Sequence, residues 1–333
     1  MSIFFRPKIF RIFKVIYVAF WHELCYHGVK GDGFMKLATT TGDFFNYSLN
    51  QFDAMDYCSM AGFKYLDYDF GADFHRNNGA ATENLDEYAD KIKKHADKLG
   101  VTFVQAHSPM GAPIAPDNKK FIDDTIKCVE LSGKLGIKNI VVHSGYDKNI
   151  SKEETFERNK AFFMPILHAA EKYEVNVLVE NFNIMVFPDV FWIDNANDLL
   201  TMIECVNHPL FHAVWDAGHA NMQKMPQDEQ LRILGSHVKA LHIQDNMGNE
   251  DQHMAPYFGT LSIDSLMNGL FDIGYDGYFT FEACNILLNA TKRTPYEKDK
   301  RAWKAPLDLR IKAENFLYET GKSILCSYNC FEE

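Results

Sequence analysis

Eight short runs of β-branched and aromatic residues recur along this chain, separated by longer stretches of helical periodicity, and no other feature constrains the fold as tightly. The runs are "MKLATTT" from 35, "YLDYDFG" from 65, "TFVQAHS" from 102, "NIVVHSG" from 139, "NVLVENF" from 176, "FHAVWDA" from 211, "KALHIQD" from 239 and "GYFTFEA" from 277. Between them lie amphipathic segments such as "LDEYADKIKKHADKLG" and "KKFIDDTIKCVELSGKLG", whose apolar residues recur at three and four and whose ends meet a glycine. That alternation is the signature of βα units on a parallel sheet. A doubly wound open sheet would also show it, but eight similar units without a GxGxxG after the first run favour a closed (β/α)8 TIM barrel, an α/β fold. With 333 residues, 47% of them hydrophobic, the chain is long enough to fill one large core.

The barrel is expected over residues 35–325, with 326–333 a loose polar tail and 285–306 a long excursion after the eighth strand. Residues 1–34 are basic and aromatic and read as an appendage outside the barrel, an amphipathic surface helix being the alternative. Arg6, Lys8, Arg11 and Lys14 interrupt their apolar residues, so no stretch reaches the ~20 residues of a membrane span. Nor is there a clean apolar segment with a cleavage site, so no membrane association is expected. Seven cysteines, an odd number with no CxxC pair, suit reduced thiols and a cytoplasmic location. The formal charge of -11 argues against nucleic acid, whose phosphates call for a basic stripe, and leaves a small polar ligand as the expected partner.

In such a barrel the loops after the C-terminal strand ends build the active site. Six consecutive runs end in His107, His143, Glu180, Asp216, His242 and Glu282, all of types that ligate divalent metals. Singly, each has a plain reading, an interior histidine or a glutamate paired with lysine. Together they crowd three carboxylates into one mouth, which mutual repulsion resists unless a cation neutralises them. The stretch "VWDAGHANM" adds His219 three residues after Asp216. In the loop after the seventh run, "DNMGNEDQH", Asp251 and His253 alternate and are candidates to reach back over the mouth, while Asp245-Asn246 reads as a turn bracing His242. Trp215, Phe182 and Tyr257 are candidates for an apolar wall beside a ring, or for core packing.

The segments "AHSP", "VVHSG", "VENF", "WDAGHANM", "HIQDNMGNEDQHMAPYFGT" and "IGYDGYFTFEA", in this order and strand placement, resemble the xylose isomerase-like TIM barrel superfamily, in its sugar phosphate isomerase/epimerase branch. The resemblance implies a divalent ion (manganese, magnesium, cobalt or zinc) held by Glu180, Asp216, His242 and Glu282. It further implies a sugar or sugar phosphate substrate contacted by His107, His143, His219, Asp251 and His253. Glu180 and Glu282 would then move a proton on opposite faces of the sugar through an enediolate stabilised by the ion. One departure is evident: where the related ketose epimerases carry an arginine shortly after the strand-seven histidine, this chain reads Met247, Gly248, Asn249, Glu250. Barrels of this sort commonly self-associate, so a homo-oligomer is expected. Three other activities fit the same residues. One is a phosphodiesterase resembling the superfamily's apurinic-site endonuclease, for whose nine zinc ligands candidates are present. The others are a lyase or dehydratase acting on a keto-sugar or keto-inositol, and a non-catalytic sugar-binding barrel that keeps the metal.

Overall fold

Every one of the eight runs is a strand in the computed structural model, which describes residues 33–182, 193–223, 225–287 and 305–333. They are β1 Lys36–Thr40, β2 Tyr65–Asp69, β3 Thr102–His107, β4 Asn139–Val141, β5 Asn176–Glu180, β6 Phe211–Asp216, β7 Val238–His242 and β8 Tyr278–Phe281. From β1 to β7 each strand pairs in parallel with the next, and β1 also pairs with β8. Just beyond β7, Ile243 closes the circle: its N–H donates to the Thr280 carbonyl (2.8 Å) and its own carbonyl accepts from Glu282 (3.1 Å).

The helices around the barrel are α1 Gln51–Met60, α2 Phe70–Arg76, α3 Leu85–Leu99, α4 Lys119–Leu135, α5 Lys152–Glu171, α6 Ala196–Val206, α7 Ala217–Asn221, α8 Gln227–Leu234, α9 Ile263–Asp272 and α10 Leu307–Ser327. Their ends follow local chemistry. Asn84 accepts from the Asp86 and Glu87 N–H groups to start α3, and Gly100, at φ 68°, stops it. Between these caps Tyr88, Ala89, Ile92 and Ala96 are buried, a stripe at helical spacing laid against the sheet.

Strand periodicity sets the height of the functional residues. Val141, Leu178, Val214 and Ala240 form a small apolar cluster, contributed by β4 to β7. Two positions further along lie His143, Glu180, Asp216 and His242, which the two-residue period puts on the same face. The intervening residues face the helices: Trp215 is fully buried and donates its indole N–H to Gln227 of α8 (3.1 Å). An apolar layer therefore floors a polar one at the C-terminal ends of the strands.

The end of the chain differs from a loose tail. α10 continues to Ser327, Cys330 is buried, and the Met35 N–H donates to the Cys330 carbonyl (2.7 Å) while Glu332 donates back to Met35 (2.9 Å). The backbone entering β1 offers unpaired groups, and the last residues satisfy them. Cys326 and Cys330 are both free thiols. Apart from Gly33 and Phe34, the appendage lies outside the described residues, as does most of the excursion, residues 288–304. Among the described residues no helix is long and apolar enough to cross a membrane.

Candidate metal centre

Glu180, Asp216, His242 and Glu282 come from the ends of β5, β6, β7 and β8, and one ligand atom of each lies within 4.8 Å of the others. His242 turns its Nδ1 toward Glu180 Oε1 (3.0 Å) and Glu282 Oε2 (3.5 Å). Asp216 is divided between two tasks. Its Oδ1 accepts the His219 N–H (2.5 Å) and so starts α7, while its Oδ2, though buried, accepts no hydrogen bond among the described residues. A buried carboxylate oxygen left without a donor is costly, and it suits a cation. The donor set of three carboxylates and one imidazole fits a divalent ion with positions left for a ligand.

The other sequence-derived candidates surround this group. His143 and Glu180 meet at 2.8 Å, and with His107 they make a second set of metal-competent side chains. His219, Asp251 and His253 make a third, His253 Nε2 lying 3.0 Å and His219 Nε2 3.5 Å from the Asp251 carboxylate. The β7 loop reaches back because Asp245 and Met254 exchange both backbone hydrogen bonds, folding it into a tight excursion. Asp245 does not brace His242 as its place in the sequence suggests. Its carboxylate instead accepts from the N–H groups of Asn246, Gly259 and Leu261, fastening that loop shut. Of the aromatic candidates, Phe182 lines the cavity, its ring centroid 4.3 Å from that of His219. Trp215 is core, and Tyr257 is exposed.

Positive charge on the imidazoles balances the carboxylates. Burial works against the ionisation of Glu180, yet the charge of His242 and hydrogen bonds from His143, His219 and His242 hold its carboxyl well below the usual range. Burial pushes the Asp216 carboxyl the other way, to about 7, against the pull of His219. His107 resists burial because of the Asp67 carboxylate beside it and is lifted to about 10. His219 and His253 are likewise held well above the usual imidazole range, largely by Asp216 and Asp251 for the first and by Asp251 for the second.

Two acidic residues escaped the sequence reading. Asp67, in the middle of β2, is buried and accepts from Gln105 Nε2 (2.8 Å); its Oδ2 lies 3.4 Å from His107 Nδ1 and 3.8 Å from His242 Nε2. Asp69, at the end of β2, lines the same cavity. The signal was there in "YLDYDFG", whose two aspartates alternate at strand spacing. Gln244 links the centre to its loop, donating to Asp216 Oδ1 (3.3 Å) and Asp251 Oδ1 (3.0 Å).

Residues 55–305 match the sequence profile of the family described as xylose isomerase-like TIM barrel. The chain belongs to that family. An uncharacterised protein of Methanocaldococcus jannaschii is 28% identical over 171 residues, 49% of this chain and 57% of its own length. The fructoselysine 3-epimerase of Escherichia coli O157:H7 is 33% identical over 95 residues, 28% of this chain and 34% of its own. The chain thus spans between a third and somewhat over half of these curated relatives. Among solved structures, the D-psicose 3-epimerase of Clostridium cellulolyticum H10, determined with D-tagatose, superposes with a TM-score of 0.68 at 16% identity, over 88% of this chain and 99% of that one. At that identity the superposition speaks for the fold, which it shares with other members of the xylose isomerase-like family.

Proposed function

We propose that the protein is a divalent-metal-dependent sugar isomerase or epimerase that transfers a proton through an enediolate. The observation that carries this reading is the convergence of Glu180, Asp216, His242 and Glu282 at four consecutive strand ends. The epimerase relative and the epimerase fold neighbour support the substrate class. Those four side chains would hold the ion, which when bound supplies Lewis acidity that polarises a carbonyl and acidifies the adjoining C–H. The two glutamates differ in how they are held. Glu180 is fixed as a carboxylate by three imidazoles, whereas the Glu282 side chain keeps 25% of its surface exposed toward the cavity and meets only His242 among the described ionic groups. Both line the shared cavity, so one could take the proton and the other return it. His107, His143, His219 and His253 line the same cavity and would donate hydrogen bonds to sugar hydroxyls; Asp251 would accept one.

Metal analysis of the purified protein, followed by solvent deuterium exchange into a panel of ketoses, keto-inositols and their phosphates, tests the reading. Deuterium should enter one carbon in the presence of metal, and E180Q or E282Q should cut the exchange rate at least 100-fold. Unchanged exchange in both variants sinks the assignment.

A second reading has its own observation. His107, His143 and Glu180, the central four, and His219, Asp251 and His253 form three adjoining sets, a layout that would suit several ions and in-line hydrolysis of a phosphate ester. The charge of -11 speaks against a nucleic-acid substrate. Cleavage of an abasic oligonucleotide without any deuterium exchange would favour this alternative.

A further inference from the structure

The cavity lined by Glu180 and Glu282, about 740 Å³, runs on past them to where the loops after β1 and β2 meet. Clefts of ~300–1,000 Å³ enclose drug-sized ligands, so there is room beyond a sugar ring. That side is walled by Thr40, Gly42, Asp43, Phe45, Asp69 and Phe74 and takes no part in the proton transfer proposed above. Asp69 is fixed at its root: its N–H donates to Thr41 Oγ1 (2.9 Å) and its carbonyl accepts from Gln51 Nε2 (2.6 Å). Two glycines make room for its carboxylate. A Cβ on Gly42 would stand 3.0 Å from Oδ2, and one on Gly71 would stand 2.8 Å from Oδ1.

Of the basic side chains that border this lobe, Arg76 stacks over the Phe45 ring (4.4 Å) and donates to the Phe45 carbonyl, and His75 stands edge-on to the same ring. Among the described residues no lysine, arginine or histidine forms an ion pair with Asp69, and burial pushes its carboxyl up to about 6, with His107 pulling the other way. Asp43 is buried, its Oδ1 accepts no hydrogen bond among the described residues, and its partner Arg310 (3.5 Å) is shared with Glu314 (3.0 Å), so two carboxylates divide one guanidinium. Lys120, on the cavity wall, is already engaged by Asp124. An anionic substituent would be repelled here, and a neutral one would leave the deficit in place.

We infer that this lobe is a subsite for an ammonium group carried on an arm of the sugar, with Asp69 as its hydrogen-bonding partner and Asp43 and Phe74 on the same wall. Ammonium to carboxylate is a charge-assisted hydrogen bond. The inference rests on the sugar-substrate reading and narrows it to amino-substituted ketoses.

The test uses three conjugates of 1-amino-1-deoxyfructose, N-butyl, N-(4-aminobutyl) and N-(3-carboxypropyl), titrated calorimetrically into the manganese-loaded full chain. The aminobutyl conjugate should bind at least about tenfold tighter than the other two, as a hydrogen bond to a charged group warrants. D69N should abolish that preference with metal content unchanged, and D69S serves as a second variant should the amide disturb folding. Equal affinity for all three overturns the subsite and leaves the ketose reading standing. If none binds, 1,4-diaminobutane alone, followed by saturation-transfer NMR, separates the two ideas. Diamine binding that D69N removes supports the subsite and counts against the ketose reading, whereas no diamine binding overturns the subsite.

Discussion

His242 presents Nδ1 to Glu180 and Glu282 and turns Nε2 toward Asp67, 3.8 Å away, where that nitrogen has no hydrogen-bond partner among the described residues. An imidazole that ligates through one nitrogen is oriented by whatever receives the proton on the other, and a carboxylate there raises its basicity. Asp67 is placed for that task, since Gln105 already fixes its Oδ2 at 2.8 Å. D67N should therefore weaken manganese binding by about 10- to 100-fold. Competition against a chelating indicator measures it, and a Kd within twofold of the parent would show that Asp67 serves packing alone. The same residue shows where sequence reading stops. His107, Glu180, Asp216, His242 and Glu282 end their runs and could be found by position, but Asp67 lies two residues before the end of β2. Its interior direction depends on strand register, and a shift of register against β3 between Leu66 and Asp67 is invisible in the chain itself.

At the scale of elements, α2 is tied down by one buried carboxylate. Asp73 Oδ2 accepts from Tyr68 of β2 (3.0 Å), Tyr88 of α3 (3.3 Å) and the Ala80 N–H (3.1 Å). Burial nonetheless dominates and raises its carboxyl from 3.8 to about 6. A folded-state value above the unfolded one means that the native chain binds the proton more tightly. The resulting stabilisation is complete below about pH 4 and is lost as pH rises through about 6. Urea unfolding of the parent and D73N between pH 4 and 7 should show the parent's advantage shrinking by roughly 3 kcal/mol across that window. A difference that is flat with pH would mean that Asp73 stays ionised throughout. The long elements were legible because periodicity and caps agree: α3 and α4 end at Gly100 and Gly136, as their sequences indicate. The short ones were not. α2 and α7 have too few residues for a periodic pattern, and α7 depends on Asp216 capping it from within the candidate metal centre. The return of the β7 loop likewise depends on the non-local hydrogen bonds of Asp245.

For the whole molecule, the proposed metal centre would couple folding to protons and metal together. Without an ion, the carboxylates of Glu180, Asp216, Glu282 and Asp251 are balanced by imidazoles whose affinity for protons is raised, His242 among them through Glu282 and Glu180. An ion binding His242 must displace its proton, so its affinity should rise with pH. A ligand that binds only the folded chain stabilises it by ~4 kcal/mol at a thousandfold excess over Kd. At ~2.1 cal/mol/K of unfolding entropy per residue, that amounts to about 6 °C in Tm for a chain of this length. Calorimetric scans of dialysed protein with and without manganese should show a rise of this order at pH 8 and a smaller one at pH 6. The imidazole protons reverse this order in the metal-free chain, since the stability they supply is present below pH ~6.5 and is lost as pH climbs through their raised values. Metal should therefore flatten the dependence of Tm on pH as well as raise Tm. A shift equal at both pH values would mean that the ion binds without competing for those protons, at a place other than His242.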